Sequence, residues 1–312
     1  MKLRSTCAPR GSVVATAILL GCVGLSACGD GAGEKGTKPS TANHESEIKT
    51  GDAQKVENEA VLKQIEDENK PQSVMFANPG IGDFREYLDM RNPMIAFNFY
   101  NAKRDWEEGA DDISDSVGDA FNARKTNPEL ARLGSERLSS SDNFKKKDLA
   151  DKINAIAISE ASKLKGKSLV KFTSDEWVPV SLSGYDFERK GFALDNCLFS
   201  DKVSYTDEES RNATTLAQAP KLRCYLNPGP VPYYIGFSGG SKIFFEIKDD
   251  AKARQIESVR QNVKIEVYGY VQSVERERLG GNLGPQRWVL IAPQRIDVID
   301  ITSGSVLLTK TI

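Results

Sequence analysis

The spacing of hydrophobic positions changes near residue 166. Before it, apolar residues recur every three or four positions, the period of a helix; after it they alternate, the period of a strand. In residues 52–70, Val56, Ala60 and Ile65 form a thin stripe on a polar background, which predicts a solvated helix ended by Pro71. Asp83 caps a short helix carrying Phe84, Tyr87 and Leu88. Asn92-Pro93 is a start signal, with Ile95, Phe99, Ala102 and Trp106 on one face, and Ile113, Val117, Ala120 and Phe121 make the next face. Asn127-Pro128 repeats the start signal before Leu130 and Leu133. Asp142 or a neighbouring serine caps a helix with Leu149, Ile153, Ile156 and Leu164 in register, and Gly166 stops it.

Beyond Gly166, residues 168–173, 177–182, 192–199, 223–226 and 242–248 read as strands, with Ser174-Asp175-Glu176 as a turn. A short helix over residues 251–261 turns Ala253, Ile256 and Val259 inward. Val263, Ile265, Val267 and Val271 then face one way, and Lys264, Glu266, Tyr268 and Tyr270 the other. Gly269 falls in phase with the buried set, which predicts a bend or a close backbone approach. Gly280-Gly281-Asn282 makes a hairpin loop, and residues 287–292, 296–301 and 306–309 complete the sheet. The predicted class is α+β: a helical N-terminal part, then a mostly antiparallel, curved sheet with one short helix, similar in general shape to a small OB-like barrel. Such a likeness concerns fold alone.

The N-terminus changes this picture. Lys2, Arg4 and Arg10 precede an apolar run over residues 12–20 that continues in small residues to Ala27. The run is short for a bilayer span and reads as an export signal. Its end, Leu25-Ser26-Ala27-Cys28, resembles the lipobox of bacterial lipoproteins; Leu19-Leu20-Gly21-Cys22 is a poorer fit, because Leu20 suits the position two before the cysteine less well than Ser26. The resemblance implies that Cys28 is acylated, with palmitate among its chains, and becomes the first mature residue. It implies a chain anchored in the bacterial cell envelope and facing the periplasm. Gly29 rather than Asp after the cysteine favours the outer membrane over the inner. It extends to the other cysteines: Cys7 and Cys22 leave with the leader, and Cys197 and Cys224, in an oxidising compartment, form a disulfide. The organisation then reads 1–27 signal peptide, 28–51 disordered tether, 52–70 solvated helix, 71–166 helical subdomain and 167–312 β-rich subdomain. A tether of that length holds the domain within roughly 25 Å of the bilayer.

Composition narrows the function. The sequence has 42 Lys plus Arg against 44 Asp plus Glu, and losing Lys2, Arg4 and Arg10 with the leader takes its net charge from −2 to −5. Nucleic acid, which demands a basic footprint, is therefore not an expected partner. The one histidine, His44, lies in the tether, so the folded part offers no Ser-His-Asp or Cys-His nucleophile and no histidine-ligated zinc. No Cys-x-x-Cys occurs, and no cofactor or metal motif is found.

Two candidate surfaces remain. Tyr225, Tyr233, Tyr234 and Phe237, set among prolines and glycines, form a candidate binding surface, since tyrosine adds contact area at small entropic cost. Asp175, Glu176, Asp186 and Glu188, beside Trp177 and Tyr185, are candidate acids, since glycoside hydrolysis needs only two carboxylates. No catalytic residue is assigned. The expected function is a non-enzymatic binding or structural module with an envelope protein, peptidoglycan or a small ligand as partner; the alternative is a His-free hydrolase of a cell-envelope polysaccharide. Buried paired carboxylates would favour the second.

Overall fold

The computed structural model describes residues 70–117, 121–200, 224–230, 232–278 and 285–312. The leader, Cys28, the tether, all but the last residue of the 52–70 helix and the Gly280–Asn282 loop lie outside the described residues. In chain order the elements are β1 (Gln72–Met75), β2 (Leu88–Asp89), α1 (Ile95–Lys103), α2 (Ala110–Ser116), α3 (Pro128–Ser139), α4 (Asn143–Ser162), β3 (Leu169–Thr173), β4 (Ser181–Leu182), β5 (Gly191–Asp195), β6 (Tyr233–Phe237), β7 (Phe244–Glu246), α5 (Asp250–Val259), β8 (Val263–Arg278), β9 (Pro285–Asp300) and β10 (Val306–Thr311). The fold is mixed α/β.

Two 16-residue strands, β8 and β9, form the spine. At about 3.3 Å per residue each spans roughly 50 Å. Along one flank of β8 pair β1 and β3, with the two-residue β2 beyond β3. Along the far flank of β9 pair β6 and β10. A smaller sheet, β4-β5-β7, stands apart. The larger sheet is open, running from β10 to β2, and is not a closed barrel. It is also mixed: β2–β3 and β6–β9 are parallel pairs.

The hairpin ladder shifts register twice. Gln294 is the extra residue opposite Tyr268/Gly269, and Gln272 the extra residue opposite the Leu290/Ile291 step. Pro293, which has no N–H to donate, sits at the first shift. Bulges re-aim side chains, and Gln294 shows how: buried, it donates to Asn78 Oδ1 and to Gly80 O, each at 2.7 Å, and accepts from the Tyr87 hydroxyl at 3.2 Å. One bulged residue thus clamps the segment before β2 to the sheet. The expected close approach at Gly269 is present: a Cβ there would meet the carbonyl oxygen of Ala292 at 2.6 Å. Gly269→Ala is expected to cost about 1–3 kcal/mol through overpacking, read as a lower urea midpoint at unchanged slope. A wild-type midpoint would mean that the two strands separate freely there.

Two helices form where their caps predict, but at Asn92-Pro93 the expected start is displaced: α1 begins at Ile95, with Met94 at its N-cap and no side-chain cap. Asn127 Oδ1 accepts the N–H of Leu130, with Pro128 in the first turn. Asp142 accepts from Phe144 and Lys145 at the head of α4. Gly166 takes a left-handed φ of 83° after α4. Leu149, Ile153, Ala157 and Leu164 are buried against the other helices, and α1 lies against β6, β8 and β9.

Several expectations need correction. Among the described residues the helices do not come first, because β1 and β2 precede them. The short helix after Asp83 is a single 3-10 turn, Phe84–Glu86. Trp106 lies beyond the end of α1. Residues 177–182 yield only β4, and of the strand expected at 223–226 the described residues 224–226 show only an isolated bridge from Leu226 to Ile235. The strands expected at 287–292 and 296–301 are one strand, which continues through the bulge at Gln294.

Candidate functional site

The aromatic run is not a surface. Tyr233, Tyr234 and Phe237 are 0%, 2% and 7% exposed, and they lie on or end β6, an interior strand. The Tyr233 ring meets Phe97 at 5.0 Å and Tyr100 at 5.5 Å, while Phe237 stacks on Phe199 at 4.8 Å. Tyr225, half-buried, packs on Tyr234 at 4.4 Å. A strand buried on both faces loses the alternation that marks a strand in sequence, so Tyr-Tyr-Ile-Gly-Phe reads as a loop of aromatics.

The four acids do not form a pair. Asp175 Oδ1 accepts the N–H groups of Trp177 and Val178, and its carboxylate pairs with Arg91. Burial works to raise its pKa, but those N–H groups and the Arg91 charge hold the carboxyl below the usual range. Asp186 Oδ1 accepts from Glu188 and Arg189 and closes the turn between β4 and β5. Glu176 and Glu188 are exposed. Asp175 and Asp186 serve turns, and none of the four acids is buried.

Cys197 and Cys224 are joined by a disulfide, with Cα atoms 5.6 Å apart. It ties the 3-10 turn Cys197–Phe199 to the bridge that enters β6.

Two groups of polar side chains stand out instead. The first lies on the sheet face that carries the outward residues of β8. Register places Asp89, Lys171, Tyr268, Arg295 and Thr311 in one row across five strands, and Thr173, Glu266, Asp297 and Thr309 in the next. Glu266 and Asp297 are direct cross-strand neighbours, an arrangement that like charges disfavour. Cations relieve it: Lys171 lies 2.8 Å and Lys264 3.2 Å from Glu266, and Arg295 lies 3.0 Å from Asp297. Burial raises the Glu266 pKa, yet hydrogen bonds from Lys171 and Tyr268 outweigh it and hold the carboxyl below its ordinary value. At the β2 edge of this face, Tyr87, Asp89, Arg91, Lys171 and Thr173 line a shallow cleft of about 270 Å³. It is lined by a carboxylate, an ammonium, a guanidinium and hydroxyls, with Lys171 paired to Glu266 and Arg91 to Asp175.

The second group is interior. Glu108, on the connection between α1 and α2, has a side chain with no exposed surface. Arg287 Nη2 approaches it at 2.9 Å and Arg276 Nε at 3.7 Å. The Tyr100 hydroxyl donates to its Oε1. Beside it the Ser116 and Tyr233 hydroxyls lie 2.7 Å apart, and the Arg287 guanidinium stands 5.4 Å from the Tyr233 ring. Burial alone would raise the Glu108 pKa; the Arg287 charge, with the Tyr100 and Arg287 hydrogen bonds, holds it below the ordinary value. An ionised carboxylate clamped between two guanidiniums joins the helical layer to the spine but has no proton to give. No local pattern in the sequence marks this network; only the β8–β9 register sets Arg276 opposite Arg287.

Among the described residues no group of three or more His, Cys, Asp or Glu side chains is placed to hold a metal ion, and no helix is long and apolar enough to cross a membrane. No family model, curated protein or solved structure matches this chain.

Proposed function

We propose that this chain is a lipid-anchored envelope protein whose folded part is a non-enzymatic binding or structural module on the periplasmic side. The observation that carries the reading is Leu25-Ser26-Ala27-Cys28 at the end of a basic-then-apolar leader. The disulfide supports it, since such bonds persist in oxidising compartments. The non-enzymatic part rests on Asp175, Asp186 and Glu108, which are engaged in turns and ion pairs. The partner is an envelope protein or peptidoglycan, and the polar cleft beside Lys171 and Asp89 is the place to look for the contact.

Metabolic labelling with radioactive palmitate tests the anchor. The wild-type chain should take label and fractionate with membranes, the outer membrane above all. Cys28→Ala should take none and appear in the soluble fraction. Label that persists in the Cys28→Ala chain would overturn the assignment, as would a wild-type chain that takes none.

A further inference from the structure

β10 ends the larger sheet on one side, and among the described residues no strand pairs with its far edge. It is six residues long, whereas β2 at the opposite end has two. Ile312 donates its N–H to Gln294 O, and the pairing with β9 stays in register from Thr311 back to Leu308. Backbone groups alternate in direction along an antiparallel strand. Lys310 and Leu308 therefore turn theirs to β9, while Thr309 and Thr311 turn N–H and C=O outward. Among the described residues no backbone group meets those four. Both threonines are exposed, as are Val306 (55%) and Ile312 (53%) on either side of them.

Open edges are normally guarded by charge, by proline or by being short. Val-Leu-Leu-Thr-Lys-Thr has no proline and one charge. That charge is turned onto the fold, where Lys310 Nζ donates to Phe244 O at 2.7 Å. The one irregularity, the extra residue Leu307 between Val306 and Leu308, lies near the start of the strand. An edge of this kind accepts a further strand through its main chain. Charge and register indicate which. An edge with no outward charge matches a strand that also has none, and β10 is itself such a strand. Antiparallel pairing about a two-fold axis lets one edge serve as both surfaces. Centred on Lys310, the pair would oppose two ammonium groups. Centred on Thr309, it sets each Lys310 against Leu308 of the other copy and the two threonines against each other.

We propose that β10 pairs antiparallel with β10 of a second copy, about a two-fold axis at Thr309, and joins two larger sheets into one. Thr309 of each copy exchanges N–H···O=C bonds with the other, and Thr311 faces Leu307. The Thr309 hydroxyl, which donates to Asp297 Oδ1 on its own sheet face, keeps that bond. The pairing needs no lipid, so it stands or falls separately from the envelope reading. One strand from each copy makes a small interface, and association should be reversible, half-complete at about 10–100 µM.

The test is sedimentation equilibrium of the chain from residue 28 onward carrying Cys28→Ala, so that no acyl chain contributes. Its mass should rise from one chain towards two across that concentration range. Thr309→Pro removes an N–H that points away from β9, so it should keep the circular dichroism of the parent and stay at the mass of one chain. A second measurement does not depend on how proline is tolerated. Residues paired across such a ladder have Cα atoms about 5.5 Å apart, within reach of a disulfide. Thr309→Cys should therefore oxidise to a covalent dimer about tenfold faster than Thr302→Cys, which is exposed in the turn before β10. A parent that keeps the mass of one chain throughout would overturn the proposal. So would a dimer that well-folded Thr309→Pro leaves intact, or equal oxidation of the two cysteine variants. Palmitate labelling of the native chain reports separately on the anchor.

Discussion

Glu108→Ala is expected to destabilise the fold by about 3–5 kcal/mol, because it leaves buried guanidinium charge without its partner. Arg276 and Arg287 face each other across the hairpin, and Glu108 lies between them. Without the carboxylate, two like charges oppose each other in a poorly solvated space, and the Tyr100 hydroxyl loses its acceptor. Urea unfolding reads the loss. Glu108→Leu combined with Arg287→Met should cost much less than the sum of the single changes, since matched apolar groups replace the pair. An alanine variant within about 1 kcal/mol of wild type would mean that water reaches the site. The pH dependence has a fixed sign. The folded pKa of Glu108 is depressed, so its contribution is present above the unfolded value of about 4.3 and is lost as pH falls through the lower folded value. Glu108→Gln should flatten that acid limb of the stability curve.

Removing the disulfide is expected to cost on the order of 3.5 kcal/mol in the chain-entropy model, given the sequence separation of 27 from Cys197 to Cys224. Packing beside it adds to the effect: Phe199, two residues on from Cys197, stacks on Phe237 of β6, and Gly240 lies against the Phe199 backbone so closely that a Cβ would approach it to 2.7 Å. The Cys197→Ala/Cys224→Ala chain should melt well below the oxidised protein, and the reduced wild type should match it. Equal melting of the oxidised and reduced forms would assign that stability to packing alone.

Local signals were legible where one residue settles one geometry. The Asn127-Pro128 start, the Asp142 cap, the left-handed turn at Gly166, four residues beyond the helix end at Ser162, and the close approach at Gly269 are readable from residue type and phase. The outward set Lys264, Glu266 and Tyr268 was readable as well, but not the burial of Tyr268 and Tyr270. Tyr268 is covered by Phe84 and Tyr87, brought over it by a segment clamped through Gln294. The interior strand β6 does not alternate, so its sequence carries no strand signal. The rows on the sheet face and the Glu108 clamp depend on register between distant segments, and no local pattern carries register.

The spine also sets an order of events in time. β1 and β3 find their long partner only in β8, and β6 and β10 only in β9. A chain emerging N-terminus first cannot assemble its larger sheet until residues 263–300 have followed. Until then its helices can coil locally, while Tyr233–Phe237 waits as an uncovered apolar segment. Loop closure over such separations is slow. Passage through a narrow conduit would be easy for such a chain, whose larger sheet stays unassembled until late, and the interval before β9 emerges is when it most needs protection from other chains.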